Sequence, residues 1–326
     1  MATSAMMAQD KKSFTLEDLI PGGNNYFNLQ PKNIQGLRWW GDLMLKGEID
    51  ELKAFNPANG KEETLVTLQE VNDLLAAKDL GKMHHFYSIS MPYEQKWLLL
   101  NTRKHRVLMD LDTKEIVWSQ AIPAKAANQD WNQTSRALAY TIDNNLFVKT
   151  NDGKEMQVTN EPKGVLCGQS VHRNEFGIEE GTFWSPKGNL LAFYRMDQSM
   201  VTDYPIVNTA ARVAAVVPET YPMAGMKSHE VEVGVYNTLN DKTIYLNTRK
   251  DTSVAERENY LTNITWSPDE KYVYIAKINR GQNHMWLERY NAETGALDKV
   301  LFEEKNDRYV EPMSGLTFVP NNPNQF

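Results

Sequence analysis

Between His172 and Glu180 the chain reads HRNEFGIEE, which puts an imidazole, a guanidinium and the carboxylates of Glu175, Glu179 and Glu180 into one short stretch. Such a stretch is too polar for a core strand. Carboxylates gathered beside Arg173 and His172 could present a binding group to a charged ligand. The plainer alternative is a solvated acidic loop in which Arg173 and His172 pair with those glutamates. Elsewhere the residues for chemistry are sparse. No G-x-S-x-G nucleophile elbow occurs, because Pro312-Met313-Ser314-Gly315 lacks the first glycine and the strand-turn-helix setting. The single cysteine, Cys167, excludes an internal disulfide framework and reads as a small buried hydrophobe. His84-His85, His105 and His229 show no metal-ligand spacing, so no metal or cofactor is expected.

The elements that must hold the polar stretch follow it directly. Phe183-Trp184, the turn Ser185-Pro186-Lys187-Gly188 and the apolar run Leu190–Tyr194 read as strand, tight turn and strand. The same arrangement recurs at a fixed offset. Trp131 is followed by Leu138-Ala139-Tyr140, Trp184 by Leu191-Ala192-Phe193, and Trp266 by Val273-Tyr274-Ile275, each seven residues on. Ser90-Met91-Pro92 with Trp97-Leu98-Leu99, and Phe318-Val319-Pro320, are weaker copies. A second pair of strand-like runs joined by turn residues follows, as in Leu146–Thr150 and Glu155–Thr159 around Asn151-Asp152-Gly153. Each repeat is therefore expected to be a four-stranded antiparallel meander. The shortest spacing between copies, from Ser90 to Trp131, fits the ~40–45 residues of a propeller blade. A blade has two apolar faces that only neighbours on both sides can cover.

This reading gives an all-β fold, a β-propeller with inserted loops and short helices. Residues 1–13 are an export-signal remnant or an unstructured start, 14–35 a lead-in, and 36–326 the propeller, with insertions at 161–182 and 195–230. Phe14–Ile20 carries a short helix capped by Thr15 and Asp18. Thr67-Leu68-Gln69-Glu70 has capping-box spacing, with Val71, Leu74 and Leu75 on one face of a helix ending near Gly81. Met200, Val201, Val207, Val213, Val216 and Val217 make the second insertion too apolar for a free loop and mark it as an arm or packing surface.

Composition limits the partners. With 326 residues, 41% hydrophobic and 24% charged, the chain has ample material for a core, and its net charge of -7 with no basic stripe argues against nucleic acid. No apolar run approaches the ~20 residues of a membrane-spanning helix. Ala5 and Ala8 are spaced as in a signal-peptidase site, without the apolar region that would precede it.

Taken together, FTLEDLI, GLRWW, the repeated W-S-P turns, HRNEFGI before Trp184, Tyr221-Pro222-Met223-Ala224-Gly225 and Ile278-Asn279-Arg280-Gly281-Gln282-Asn283 resemble the N-terminal region of the dipeptidyl peptidase IV family, closest to its bacterial, exported members. The resemblance runs from Phe14 onward. It implies an eight-bladed propeller over an α/β-hydrolase domain that releases N-terminal dipeptides, often Xaa-Pro, with a Ser-Asp-His triad located beyond Phe326. The chain is then expected to be an inactive piece of a longer periplasmic or cell-surface enzyme, holding about five blades and, in Phe318–Phe326, the first strand of a sixth. The family's adjacent glutamates bind the substrate's α-ammonium. By position Glu175 takes one of those places and Asn174 the other, with Glu179 and Glu180 as rivals. Arg103 and Arg106 fall near the family's carbonyl-binding arginine, on a loop that looks shortened. Expected partners are a peptide, the hydrolase domain, and a second copy through the 195–230 arm. The alternative is a stand-alone propeller that binds a protein or glycan.

Overall fold

The computed structural model describes residues 12–29, 37–41, 43–320 and 322–326, so the expected signal remnant around Ala5 and Ala8 lies outside the described residues. The chain divides into two compact units, Met1–Ser119 and Gln120–Phe326.

The first unit begins with helix α1 (Leu16–Leu19), where Asp18 accepts hydrogen bonds from the Thr15 N–H at 2.7 Å and hydroxyl at 2.8 Å. Strands β1 (Leu37–Trp40), β2 (Leu43–Gly47), β3 (Glu51–Phe55) and β4 (Glu62–Thr67) then form an antiparallel meander in that order. Helix α2 (Leu68–Ala76) starts at Thr67. The capping box predicted there is present: Glu70 N–H donates to Thr67 Oγ1, and Thr67 N–H donates to the Glu70 carboxylate. Val71 and Leu75 are buried against Leu45, Leu52 and Val66, while Leu74 is half-buried against them. Strands β5 (Trp97–Asn101), β6 (His105–Asp110) and β7 (Glu115–Ala121) make the next sheet. Its fourth member is reduced to one bridge, Ser90 to Leu99.

The second unit holds three larger sheets. One is β8 (Ala127–Trp131), β9 (Leu138–Ile142), β10 (Asn145–Lys149) and β11 (Glu155–Gln157). In the middle sheet β12 (Val165–Cys167) and β13 (Thr182–Trp184) both pair with β14 (Leu190–Asp197), the first along Arg195–Asp197 and the second along Leu191–Phe193. Strand β15 (Asp203–Asn208) pairs with β16 (Ala215–Thr220) as a separate arm, and β17 (Glu230–Asn237) and β18 (Lys242–Tyr245) complete the middle sheet. After helix α3 (Val254–Arg257), β19 (Tyr260–Trp266), β20 (Tyr272–Ile278), β21 (His284–Asn291) and β22 (Leu297–Lys305) form the last meander.

Strand alternation explains the stacking of these three sheets. On β14, Leu191 and Phe193 point into a core shared with Ala139, Leu146 and Val148 of the preceding sheet. Ala192 and Tyr194 point the other way, into a core shared with Leu261, Val273 and Ile275 of the following sheet. A sheet covered on both faces cannot tolerate a register slip, which would exchange the two cores. The recurring tryptophans add a directed link. Trp184 Nε1–H donates to the Asp130 carbonyl at 3.2 Å, and Trp266 Nε1–H to the Phe183 carbonyl at 2.8 Å. Each acceptor is the residue just before the previous sheet's tryptophan. The turns stack as well: a Cβ on Gly188 (φ +74°) would lie 2.3 Å from Asn132 Oδ1, so that position requires glycine.

Three expectations need correction. Residues 161–182 are not wholly an insertion, because Val165–Cys167 is a short first piece of the sheet between Gly164 and Gly168. The second insertion is narrower than 195–230, since β14 continues to Asp197. Phe318–Phe326 forms no ladder among the described residues. It carries one bridge, Val319 to Asn322, and Phe318 and Phe326 instead pack on Tyr274.

Candidate functional site

The break between β12 and β13 is where the polar stretch leaves the sheet. Gly168 N–H donates to the Tyr194 carbonyl at 2.9 Å, and Tyr194 N–H donates to the Gly181 carbonyl at 3.0 Å. Both ends of the loop 169–180 are thus tied to one residue of β14. At this neck the chain crosses itself so closely that a Cβ on Gly181 would meet the Gln169 backbone at 2.2 Å. The result is a compact loop with adjacent ends.

Within it, burial alternates with display. Val171, His172, Phe176 and Ile178 are buried, whereas Arg173, Asn174, Glu175, Glu179 and Glu180 are exposed. The backbone is left-handed at His172 (φ 53°), Arg173 (φ 56°), Asn174 (φ 62°) and Phe176 (φ 56°), while Glu175 between them is extended (φ -56°, ψ 150°). Each non-glycine residue held there costs on the order of 1–2 kcal/mol, so the surroundings must enforce the shape. They do so from β19. Leu261 N–H donates to His172 Nε2 at 3.2 Å, Thr262 Oγ1 donates to the Phe176 carbonyl at 3.4 Å, and the Phe176 ring stands edge-on to Tyr260 at 5.3 Å.

His172 also meets His229 just before β17, Nδ1 to Nε2 at 2.9 Å. Because Nε2 of His172 accepts from Leu261, its Nδ1 must carry the proton and donate to His229. Both rings are therefore neutral. Burial above all, then the repulsion that a protonated His229 would exert, then the charge of Arg280, hold His172 well below its usual pKa. Burial, with the charges of Arg280 and Arg173, pushes His229 down to about 4. Arg280 itself is occupied, donating to Ser228 Oγ at 3.0 Å and the Tyr260 hydroxyl at 3.2 Å.

Neither His172 nor Arg173 pairs with the neighbouring glutamates, contrary to the plainer expectation. Arg173 reaches across to the arm, where Nη1 lies 2.7 Å from Glu219 Oε1 and the guanidinium sits 5.4 Å from the centre of the Tyr221 ring. The Glu175 carboxylate has no hydrogen-bond or ion-pair partner among the described residues. Asn174 lies beside it, with the Ser170 hydroxyl at 3.5 Å from Asn174 Oδ1. Glu179 and Glu180 line a different hollow of about 280 Å³, with Phe183, Tyr194, Thr262 and Asn263. Glu175 does not line it. Arg103 and Arg106 belong to the first compact unit. Arg103 is exposed in the three-residue turn Thr102–Lys104 between β5 and β6, and Arg106 is half-buried on β6, opposite Asn101. Sequence reasoning did not find the contact of His172 with His229 or of Arg173 with Glu219. Nothing in local spacing ties residues 57 or 46 positions apart.

Stacked four-stranded meanders, tryptophan links and a loop displayed from one sheet define a class, a partial β-propeller carrying an inserted polar loop. Residues 84–326 match the family described as the dipeptidyl peptidase IV (DPP IV) N-terminal region, and the chain belongs to that family. Among solved structures it is similar to a candidate dipeptidyl aminopeptidase IV from Bacteroides ovatus, at 47% identity and a TM-score of 0.83 over 96% of this chain and 43% of that one. The dipeptidyl peptidase 4 of Porphyromonas gingivalis shares the fold at 22% identity and a TM-score of 0.60, over 85% of this chain and 41% of that one. Among curated relatives, the dipeptidyl peptidase 4 of Felis catus is 22% identical over 88% of this chain. The chain spans 39% of that protein's length and 23% of a fungal dipeptidyl-aminopeptidase B from Talaromyces marneffei.

Proposed function

We propose that this chain is the propeller portion of an exported serine dipeptidyl peptidase, and that its loop 169–180 holds the free N-terminus of the peptide substrate. The observation that carries the reading is the Glu175 carboxylate. It is exposed, unpartnered among the described residues, and mounted on a backbone fixed in left-handed conformations by His172 and Phe176. An anionic group without a partner on so constrained a loop is suited to a cation that arrives with the substrate, here an α-ammonium. Fixing the carboxylate's position measures how far the peptide can enter. Asn174 supplies a neutral acceptor beside it in place of a second charge. The bond cleavage belongs to a hydrolase domain outside this sequence. The apolar arm of β15 and β16, with Ile206, Val207, Val216 and Val217 exposed, is the surface we assign to a second copy.

A charge-assisted hydrogen bond contributes ~1.5–3 kcal/mol, so Glu175→Gln in the full-length enzyme should raise KM for dipeptidyl substrates by about 10- to 100-fold, with kcat little changed. Unaltered KM would reject Glu175 as the amine anchor. Glu179→Gln and Glu180→Gln serve as controls and should leave KM within about twofold, as expected of exposed carboxylates remote from the ligand.

A further inference from the structure

Arg173 sets a problem for any role of Glu175 in holding a cation. The two residues are separated by one position, so at most ~7 Å of backbone divides them. A guanidinium is the best carboxylate partner a protein contains. Left to itself, Arg173 would fold back on Glu175 and compete with an arriving ammonium. It does not, because the arm holds it: Glu219 Oε1 on β16 accepts from Arg173 Nη1 at 2.7 Å, and the Tyr221 ring lies beneath the guanidinium. Tyr221 in turn rests edge-on against Tyr204 of β15 at 6.4 Å, so the base of the arm forms one contact surface for the arginine. The left-handed backbone of His172, Arg173 and Asn174 turns successive side chains in different directions, which leaves Glu175 uncovered.

We infer that Glu219 is a positioning residue, sequestering Arg173 on the arm so that Glu175 stays available for the substrate's amine. This rests on the anchor role proposed for Glu175 and adds a device that controls it. Any displacement of the arm base would release the arginine and close the amine site with the protein's own charge.

The test is a double-substitution cycle in the full-length enzyme, reading KM and kcat separately with a dipeptidyl substrate and the inhibition constant of a free dipeptide. Glu219→Gln should raise KM about two- to fivefold, the range an exposed ion pair commands, at unchanged kcat. Arg173→Gln should leave KM equal or lower. The double variant R173Q/E219Q should return KM to the parent value, because the competitor is gone. Glu219→Asp keeps the charge and should hold the parent KM, which guards against misreading a folding defect.

A purely structural pair predicts another pattern, in which R173Q and E219Q each raise KM and the double variant is not rescued. That result overturns the inference, as does an unchanged KM in E219Q. Glu175→Gln run alongside separates the two ideas. If E175Q raises KM and E219Q does not, the sequestration alone is wrong, whereas an E175Q variant with the parent KM removes the anchor itself.

Discussion

The histidine pair beneath the loop should make the stability of the second unit fall steeply in mild acid, and the size of the effect can be worked from its surroundings. His229 is 7% exposed and His172 3%. His229 meets His172, and the charges that act on it, those of Arg280 and Arg173, are both positive and oppose a proton there. In the unfolded chain the His229 imidazole titrates near its ordinary 6.5, and in the folded protein burial has moved it to about 4. The folded pKa lies below the unfolded one, so between those limits the unfolded state binds more protons, and stability drops as pH falls from about 6.5 towards 4. At pH 5, His229 alone should remove about 2 kcal/mol relative to pH 8. For a unit of this size that corresponds to about 4–8 °C in Tm. His172 acts in the same direction, since a proton on Nε2 would oppose the Leu261 N–H. The assay is thermal melting at pH 5, 6, 7 and 8 of the parent and of His229→Gln, whose amide oxygen still accepts from His172 Nδ1. The parent should lose about 4–8 °C more than the variant between pH 8 and pH 5. Parallel pH profiles would refute the assignment of neutral, acid-sensitive rings at this position.

Two more outcomes follow from the packing. Lys277 (1% exposed) lies 3.0 Å from Glu288 Oε1 (0% exposed), and the Tyr290 hydroxyl donates to the same carboxylate. Lys277→Met should therefore destabilise by ~3–5 kcal/mol in urea unfolding, and K277M/E288L should recover much of it by removing the stranded charge. Trp266→Phe leaves the Phe183 carbonyl without its donor and should cost ~1–3 kcal/mol, more than Trp184→Phe, whose indole is only partly buried. Equal losses in the two tryptophan variants, read by Tm, would show that the indole link matters less than ring volume.

Much of the architecture was legible because it repeats. The seven-residue offset after Trp131, Trp184 and Trp266 is set by a four-residue turn between two strands, and turn chemistry is local. The capping box at Thr67 and Glu70 was equally local. Strand β2, Leu43–Gly47, escaped notice because its run is short and ends in Lys46-Gly47. Strand β12 was hidden for a similar reason: three residues between two glycines give no periodicity to read. The exposed carboxylates of the loop could be named in advance, since polarity and position suffice for that. Their environment could not. The left-handed residues His172, Arg173, Asn174 and Phe176 on either side of the extended Glu175, the histidine contact and the reach of Arg173 to Glu219 depend on chain segments brought together only by the sheets. Glu179 and Glu180 line a hollow with Phe183 and Tyr194 that Glu175 does not line, a division no local spacing foretells.

The indole links also bear on how such a chain comes off the ribosome. Trp184 needs Asp130, and Trp266 needs Phe183, so in each case the acceptor has been synthesised before its donor. For the indole links, a newly made sheet thus finds its acceptor already in place behind it. Growth in one direction keeps at most one apolar face uncovered at a time, which limits the interval in which nascent strands can pair with the wrong neighbour.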